Sequence, residues 1–315
     1  MLKPSLNSAN ISPLTLSKKT IVSTTENHWQ GRTDGTNWMH NALTVFMRFV
    51  PLRFMYLIAD IFVVPFYLLF SNSYLAIYHY FRKIHNYNPI KSFFSTYKNY
   101  CQFSKNILDK FYMFSGGKFD FEIENMDLYE SFSKKNDGFL IFSAHVGNYE
   151  LAGYTLRATD KPFNALVFAA EADIIMKNRT KLFAGNNIKM IPVTEDMSHL
   201  FTLNNALEKG ESVSIPADRV VGEQKTFATT FLGREALFPA GPFLLAAKRD
   251  LDVLSIQVMK VATKKYHIYI KALDKYGASV QERSMNLLHS YITHIETVLR
   301  TYPHQWFNFY EFWKS

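Results

Sequence analysis

The sequence predicts an α/β fold, with a mixed, largely parallel sheet flanked by helices and an N-terminal membrane-associating helical region. Three observations lead there. From residue 115 onward, short apolar runs bounded by Gly, Pro or Asp alternate with helical periods, the pattern of βα units. Two of those runs, Phe139–Phe142 and Ser212–Ile215, pass directly into polar residues, which places side chains at the carboxyl ends of strands. Before them, Leu43–Phe70 is almost continuously apolar.

Residues 1–27 are rich in Ser, Thr and Asn and lack the apolar core of a signal peptide, so they read as a poorly ordered tail. Residues 28–114 form the helical region and 115–315 the α/β domain. The loop Trp29–Trp38 carries two tryptophans that suit either interfacial anchoring or loop packing. From Phe54 to Phe70 a helix would span about 26 Å, short of a hydrocarbon core of about 30 Å. Asp60, Pro65 and bases on both flanks (Arg48, Arg53, Arg82, Lys83) favour a monotopic, membrane-embedded helix over a clean span. Pro89 separates two helices in 74–114, the second with Phe93, Tyr97, Tyr100 and Phe103 on one face.

Within the second part, Lys118–Glu124 alternates as a strand and Leu128–Phe132 is a short helix. Asn148–Leu156 and Glu171–Gly185 read as helices, Phe163–Phe168 and Ile188–Val193 as strands, and Met197–Lys209 as a helix. Gly241-Pro242 can open a helix to Lys248. Leu251–Val261 and Tyr266–Leu273 are the last strands, Ser284–Thr301 an amphipathic helix, and Trp306–Trp313 an aromatic end.

Asp137-Gly-Phe-Leu-Ile-Phe-Ser-Ala-His145-Val-Gly-Asn-Tyr-Glu150 carries the chemistry. Five helical steps would leave His145 and Glu150 about 140° apart, so they meet only if His145 lies on a loop and Glu150 on the following helix. A neutral imidazole there could take a proton from a hydroxyl, with the carboxylate fixing its tautomer. The alternative is a loop histidine bonded to a carbonyl and a solvated glutamate. Asp218-Arg219 follows the strand ending at Ile215; it suits a substrate clamp or a local ion pair. Arg234 suits either a phosphate or bilayer contact or a plain hairpin loop.

A formal charge of +8 points to an anionic partner, and no basic run longer than two residues or recognisable module supports nucleic acid. The single Cys101 excludes an intrachain disulfide and reads as helix packing. The spacings His79/His85 and His289/His294 lack a carboxylate at ligand distance, so no metal is expected.

His145-Val-Gly-Asn-Tyr-Glu150 resembles the H-x4-D/E motif of the lysophospholipid acyltransferase superfamily. Ile215-Pro-Ala-Asp218-Arg219, Phe231-Leu-Gly-Arg-Glu-Ala-Leu-Phe-Pro-Ala-Gly-Pro242 and Tyr302-Pro-His-Gln-Trp306-Phe are similar, in order, to blocks of its lipid A late-acyltransferase (LpxL/HtrB-like) branch. The resemblance implies an acyltransferase domain and transfer of a fatty acyl group from acyl carrier protein, or acyl-CoA, to a lipid hydroxyl. It implies His145 as base, Glu150 as its orienting partner, Asp218, Arg219, Asn148 and Arg234 as substrate contacts, and no cofactor. Amides near Gly147 and Asn148 are the expected oxyanion donors, and Arg234, Lys248 and Arg249 the expected docking surface for an acidic carrier protein. The implied place is the cytoplasmic face of a bacterial inner membrane. One departure is the block Val167–Asp173, whose nearest bases are Lys177, Arg179 and Lys181, where this branch often has an arginine. It opens a non-lipid-A acceptor, another membrane lipid or a polyene pigment. A non-catalytic peripheral lipid-binding protein is the alternative of a different class.

Overall fold

The computed structural model describes residues 37–156, 161–168, 187–194, 196–220, 222 and 224–313. The expected tail, most of the Trp29–Trp38 loop, the helix at 171–185 and the bases Lys177, Arg179 and Lys181 lie outside the described residues.

The helical region comes first. Helix α1 (Asn37–Phe46) is followed by α2 (Leu52–Ile58), a π turn (Ala59–Val63) and α3 (Val64–Leu68), which run on as one rod. The π turn has a cause in the sequence. Pro65 has no N–H to give, and the turn before it widens so that the Val64 amide reaches back to the Ala59 carbonyl. Helix α4 (Tyr74–His79) ends in a second π turn (Tyr80–Ile84). Helix α5 (Pro89–Phe114) is 26 residues long; Pro89 occupies its first turn and the Asn88 side chain caps the Lys91 amide.

The α/β part is built on a seven-stranded sheet. Its strands are β1 (Asp120–Glu124), β2 (Phe139–Ser143), β3 (Phe163–Phe168), β4 (Ile188–Val193), β5 (Ser212–Pro216), β8 (Val253–Ala262) and β9 (Lys265–Ala272), in the order β1-β9-β8-β2-β5-β3-β4. Strands β8, β2, β5, β3 and β4 run parallel, while β9 turns back antiparallel to β8 and carries β1 parallel to itself. The expected mixed, largely parallel sheet is therefore what the chain forms. β2 sits at its centre with all five residues buried, as its unbroken apolar run requires.

Helices α6 (Met126–Lys134), α8 (Ser198–Glu208), α9 (Ala240–Lys248) and α10 (Val280–Thr301) cover the sheet, with α7 (Ala152–Thr155) reduced to one turn. Strands β6 (Thr226–Phe231) and β7 (Arg234–Pro239) pair as a separate antiparallel hairpin through Leu232-Gly233, both at positive φ. The sequence offered a plain hairpin loop there as one of two readings, and Thr-Phe-Ala-Thr-Thr-Phe before it partly alternates.

Two buried apolar clusters fill the interior, and each takes residues from both sides of the 114/115 boundary. One joins Ile77, Tyr80, Phe81 and Tyr100 to Phe142, Phe243, Tyr291 and Trp306; the other joins Leu52, Met55 and Phe111 to Phe139, Ile141 and Tyr266. That boundary is one of composition, not of packing.

Candidate active site

Strand register alone brings two of the expected polar residues together. β2 and β5 are parallel neighbours with Ser143 opposite Pro216, and the next residues of each lead out at the same sheet end. Two steps on lie His145 and Asp218. The Asp218 carboxylate then holds His145 twice: Oδ2 accepts from the backbone amide at 2.8 Å, and Oδ1 lies 2.9 Å from ring Nδ1. A carboxylate can only accept, so Nδ1 carries the proton and Nε2 is left with its lone pair.

Both groups are enclosed, with 12% of the His145 side chain and 5% of the Asp218 side chain exposed. Burial pushes the imidazole below its ordinary value and the Arg219 guanidinium adds to the drop, while Asp218 and Glu150 pull the other way. Burial alone would raise Asp218; the charge and hydrogen bonds of His145, with Arg219 beside them, hold it below the usual carboxylate range. The pair therefore rests as a neutral imidazole against a carboxylate, the state of an unspent base.

The orienting role expected of Glu150 falls at Nδ1 to Asp218. The residues after His145 form a short 3-10 turn, Tyr149–Leu151, and then α7, in place of the expected helix from Asn148. Glu150, on that turn, accepts from Lys110 Nζ of α5 at 2.7 Å. Its charge still reaches the imidazole.

The loop between them is held tightly. The Gly147 amide donates to the Gln305 carbonyl and the Asn148 amide to the Val258 carbonyl, both at 2.7 Å. These are the amides expected to stabilise an oxyanion, and both are already committed to carbonyls. Gly147 has a φ of +63°, and a Cβ there would lie 2.0 Å from the Val258 oxygen, so only glycine fits. The Asn148 side chain, expected as a substrate contact, is buried and donates to the Tyr266 hydroxyl at 3.3 Å.

The segment after α10 completes the site. Phe307 N donates to the His145 carbonyl at 2.9 Å, Val146 bridges Trp306, and Arg219 donates to the Phe307 carbonyl at 2.6 Å. Arg219 also lies 6.0 Å from the Tyr310 ring. Arg234 is separate from this group: it sits on β7, exposed, donating to the Lys83 carbonyl at 3.3 Å. The proposed docking surface divides as well. Arg249 bonds Asn204 at 2.9 Å, and the chain enters β8 beside Leu140, at the opposite end of β2 from His145.

Sequence reasoning missed Lys110, Gln305 and Phe307. The last two act through backbone groups, which no residue type announces. Among the described residues no cluster of His, Cys, Asp or Glu could hold a metal, and no helix is long and apolar enough to cross a membrane.

No curated protein matches the chain. A solved structure, the 1-acyl-sn-glycerophosphate (LPA) acyltransferase PlsC from Thermotoga maritima, overlaps it with a TM-score of 0.37 at 14% identity, over 84% of this chain and 98% of that one. The model of the bacterial lipid A biosynthesis acyltransferases matches residues 116–315, which include every strand of the sheet, the His145–Asp218 pair and the segment that braces it. The chain belongs to that acyltransferase family.

Proposed function

We propose that this protein transfers a fatty acyl group from an acyl carrier protein thioester to a hydroxyl of a membrane lipid, in a reaction like those of lipid A biosynthesis. The carrying observation is the double hold of Asp218 on His145, which leaves Nε2 unprotonated and fixed in direction. In this reading Nε2 takes the proton of the lipid hydroxyl as its oxygen attacks the thioester carbonyl. The tetrahedral intermediate then collapses, the C–S bond breaks, and the thiolate recovers the proton from the imidazolium. Asp218 stabilises that imidazolium. Glu150, paired with Lys110, adds a second negative charge nearby. No step calls for a cofactor.

In this reading the acceptor lies at the cytoplasmic face of a bacterial inner membrane. In support, the rod α2–α3 exposes Phe54, Leu57, Phe62 and Phe66, and Phe70 just beyond it is 71% exposed; Ile90, Phe93 and Phe94 stand out from the first turns of α5. Exposed apolar area of that extent suits a monotopic contact with lipid.

The test is His145→Ala with lipid analysis. Cells relying on the variant should lose one acyl chain from one lipid class by mass spectrometry, with the variant still folded, because a loop histidine fills little core. Unchanged lipids in cells dependent on the variant would overturn the reading.

A further inference from the structure

We infer that helix α5 is part of the catalytic machinery at one remove, and that Asp109 and Tyr266 are positioning residues for His145. This rests on the reading of His145 as the base.

The observation is a buried polar chain that the chemistry above does not use. Asp109, wholly buried on α5, accepts from the hydroxyls of Tyr56 (α2) and Tyr266 (β9) and from Lys260 Nζ (β8) at 2.5 Å. The Tyr266 hydroxyl, having given its proton to Asp109, accepts from Asn148 Nδ2 at 3.3 Å. Asn148 is three residues from His145. One turn earlier on α5, Asn106 Nδ2 donates to the Gly147 carbonyl at 2.9 Å. Helix α5 thus grips the residues after His145 three times, at Gly147 directly, at Asn148 through Tyr266 and at Glu150 through Lys110.

Charge supports the arrangement. Lys260 lies among the rings of Tyr56, Phe119 and Tyr266, at 4.7 to 5.2 Å. Burial drives Asp109 upward and Lys260 downward, toward their neutral forms. Three donors converging on one carboxylate favour the ionised pair instead, and we read it so. A network of this kind has few alternative arrangements, since any broken bond leaves a buried polar group without a partner.

An apolar substitute would hold four elements together as well or better, so stability alone does not call for these groups. What they add is a defined place for Asn148. His145 is bound to Asp218 on one side and, through its own backbone, continues into Val146-Gly147-Asn148 on the other. The backbone bonds to Val258 and Gln305 remain without that link, but a loop no longer fixed at the Asn148 side chain lets Nε2 shift, and misplacement of a base by about 1 Å costs on the order of a hundredfold in rate.

The test uses full-length protein, with thiol release from an acyl carrier protein thioester and dispersed bacterial total lipid as acceptor. Tyr266→Phe keeps the ring and removes the link. It should lower kcat about ten- to a hundredfold with KM within about twofold, in a protein that is still folded at the assay temperature but melts lower, since Asp109 and Asn148 each lose a partner. The acid limb of kcat/KM should move upward, because a looser loop lets water reach the imidazole. Asn148→Ala should match Tyr266→Phe, and the double variant should be no worse than either. Asp109→Asn provides a second route to the same loss if it folds. A folded Tyr266→Phe with full kcat, or losses that multiply in the double variant, would overturn the positioning role. His145→Ala run alongside separates the two ideas. If it is dead while Tyr266→Phe is fully active, only the positioning role falls; if it is active, both fall.

Discussion

In the proposed reaction Asp218 carries more of the chemistry than Glu150, although the sequence offers Glu150 first. The two carboxylates differ in what they hold: one clamps the imidazole and its amide, the other meets Lys110. Asp218→Asn can still accept at the ring but offers an amide where the backbone amide also needs an acceptor. It should cut kcat by roughly a thousandfold or more, in line with losses when a triad carboxylate becomes an amide. Glu150→Gln removes a nearby charge and the ion pair with Lys110 and should cost about tenfold. Steady-state kinetics of the two variants decide this, and equal losses would restore Glu150 to the orienting role. The sequence made the pair His145–Glu150 legible because five residues lie within one glance. His145 and Asp218 are 73 residues apart, and only the register of β2 on β5 joins them.

At the level of elements, most strands were legible to within two residues, because a buried parallel strand needs an apolar run and little else supplies one. The helix after His145 was not. Its residues have helical spacing, but the Gly147 and Asn148 amides are drawn to Gln305 and Val258 and delay the first turn. The rod α2–α3 shows the same mixture. Its apolar character was plain, its two-sidedness was not: Leu52, Met55, Tyr56, Ala59 and Val64 are buried against the core while the other side is exposed. Deleting the rod would therefore damage the core as well as any membrane contact, so substitution is the sharper experiment. Replacing Phe62, Phe66 and Phe70 by Ser should move the protein from the membrane pellet to the supernatant without lowering its melting temperature. Loss of three large apolar contacts corresponds to several kcal/mol of burial in lipid, at roughly 2 kcal/mol each. High salt should not release the parent protein, since apolar burial is not screened. A triple variant that still pellets would assign membrane contact elsewhere.

The whole molecule should be acid-sensitive, through buried histidines outside the site as well as through His145. His294, buried with Nδ1 2.8 Å from Ser255 Oγ, is held by burial at about 4, and His304 likewise at about 4. Both are depressed from about 6.5, so the folded state keeps them neutral while the unfolded chain binds protons below that value. Stability should be flat above pH 6.5 and fall as pH drops from 6.5 toward 4. By pH 5 the loss from His294 alone is roughly 2 kcal/mol. Depressed carboxylates such as Asp218, Glu211 and Asp252 do not yet titrate in that window. Urea unfolding at pH 7.5 and pH 5 checks it; an equal midpoint at both would show that these histidines find room to charge in place.

The bonds from Gln305 and Phe307 to the loop around His145 also set an order of events in the cell. Every strand of the sheet, with β2 and β5 already side by side, is translated before those two residues. A chain truncated after Thr301 keeps every strand of the sheet and can bring His145 to Asp218, yet the His145 carbonyl and the Gly147 amide lack their partners. In terms of the proposed reaction, such a chain is a folded but idle scaffold with the exposed apolar side of α2–α3 intact. The loop around His145 sets last, when the segment after α10 docks on it.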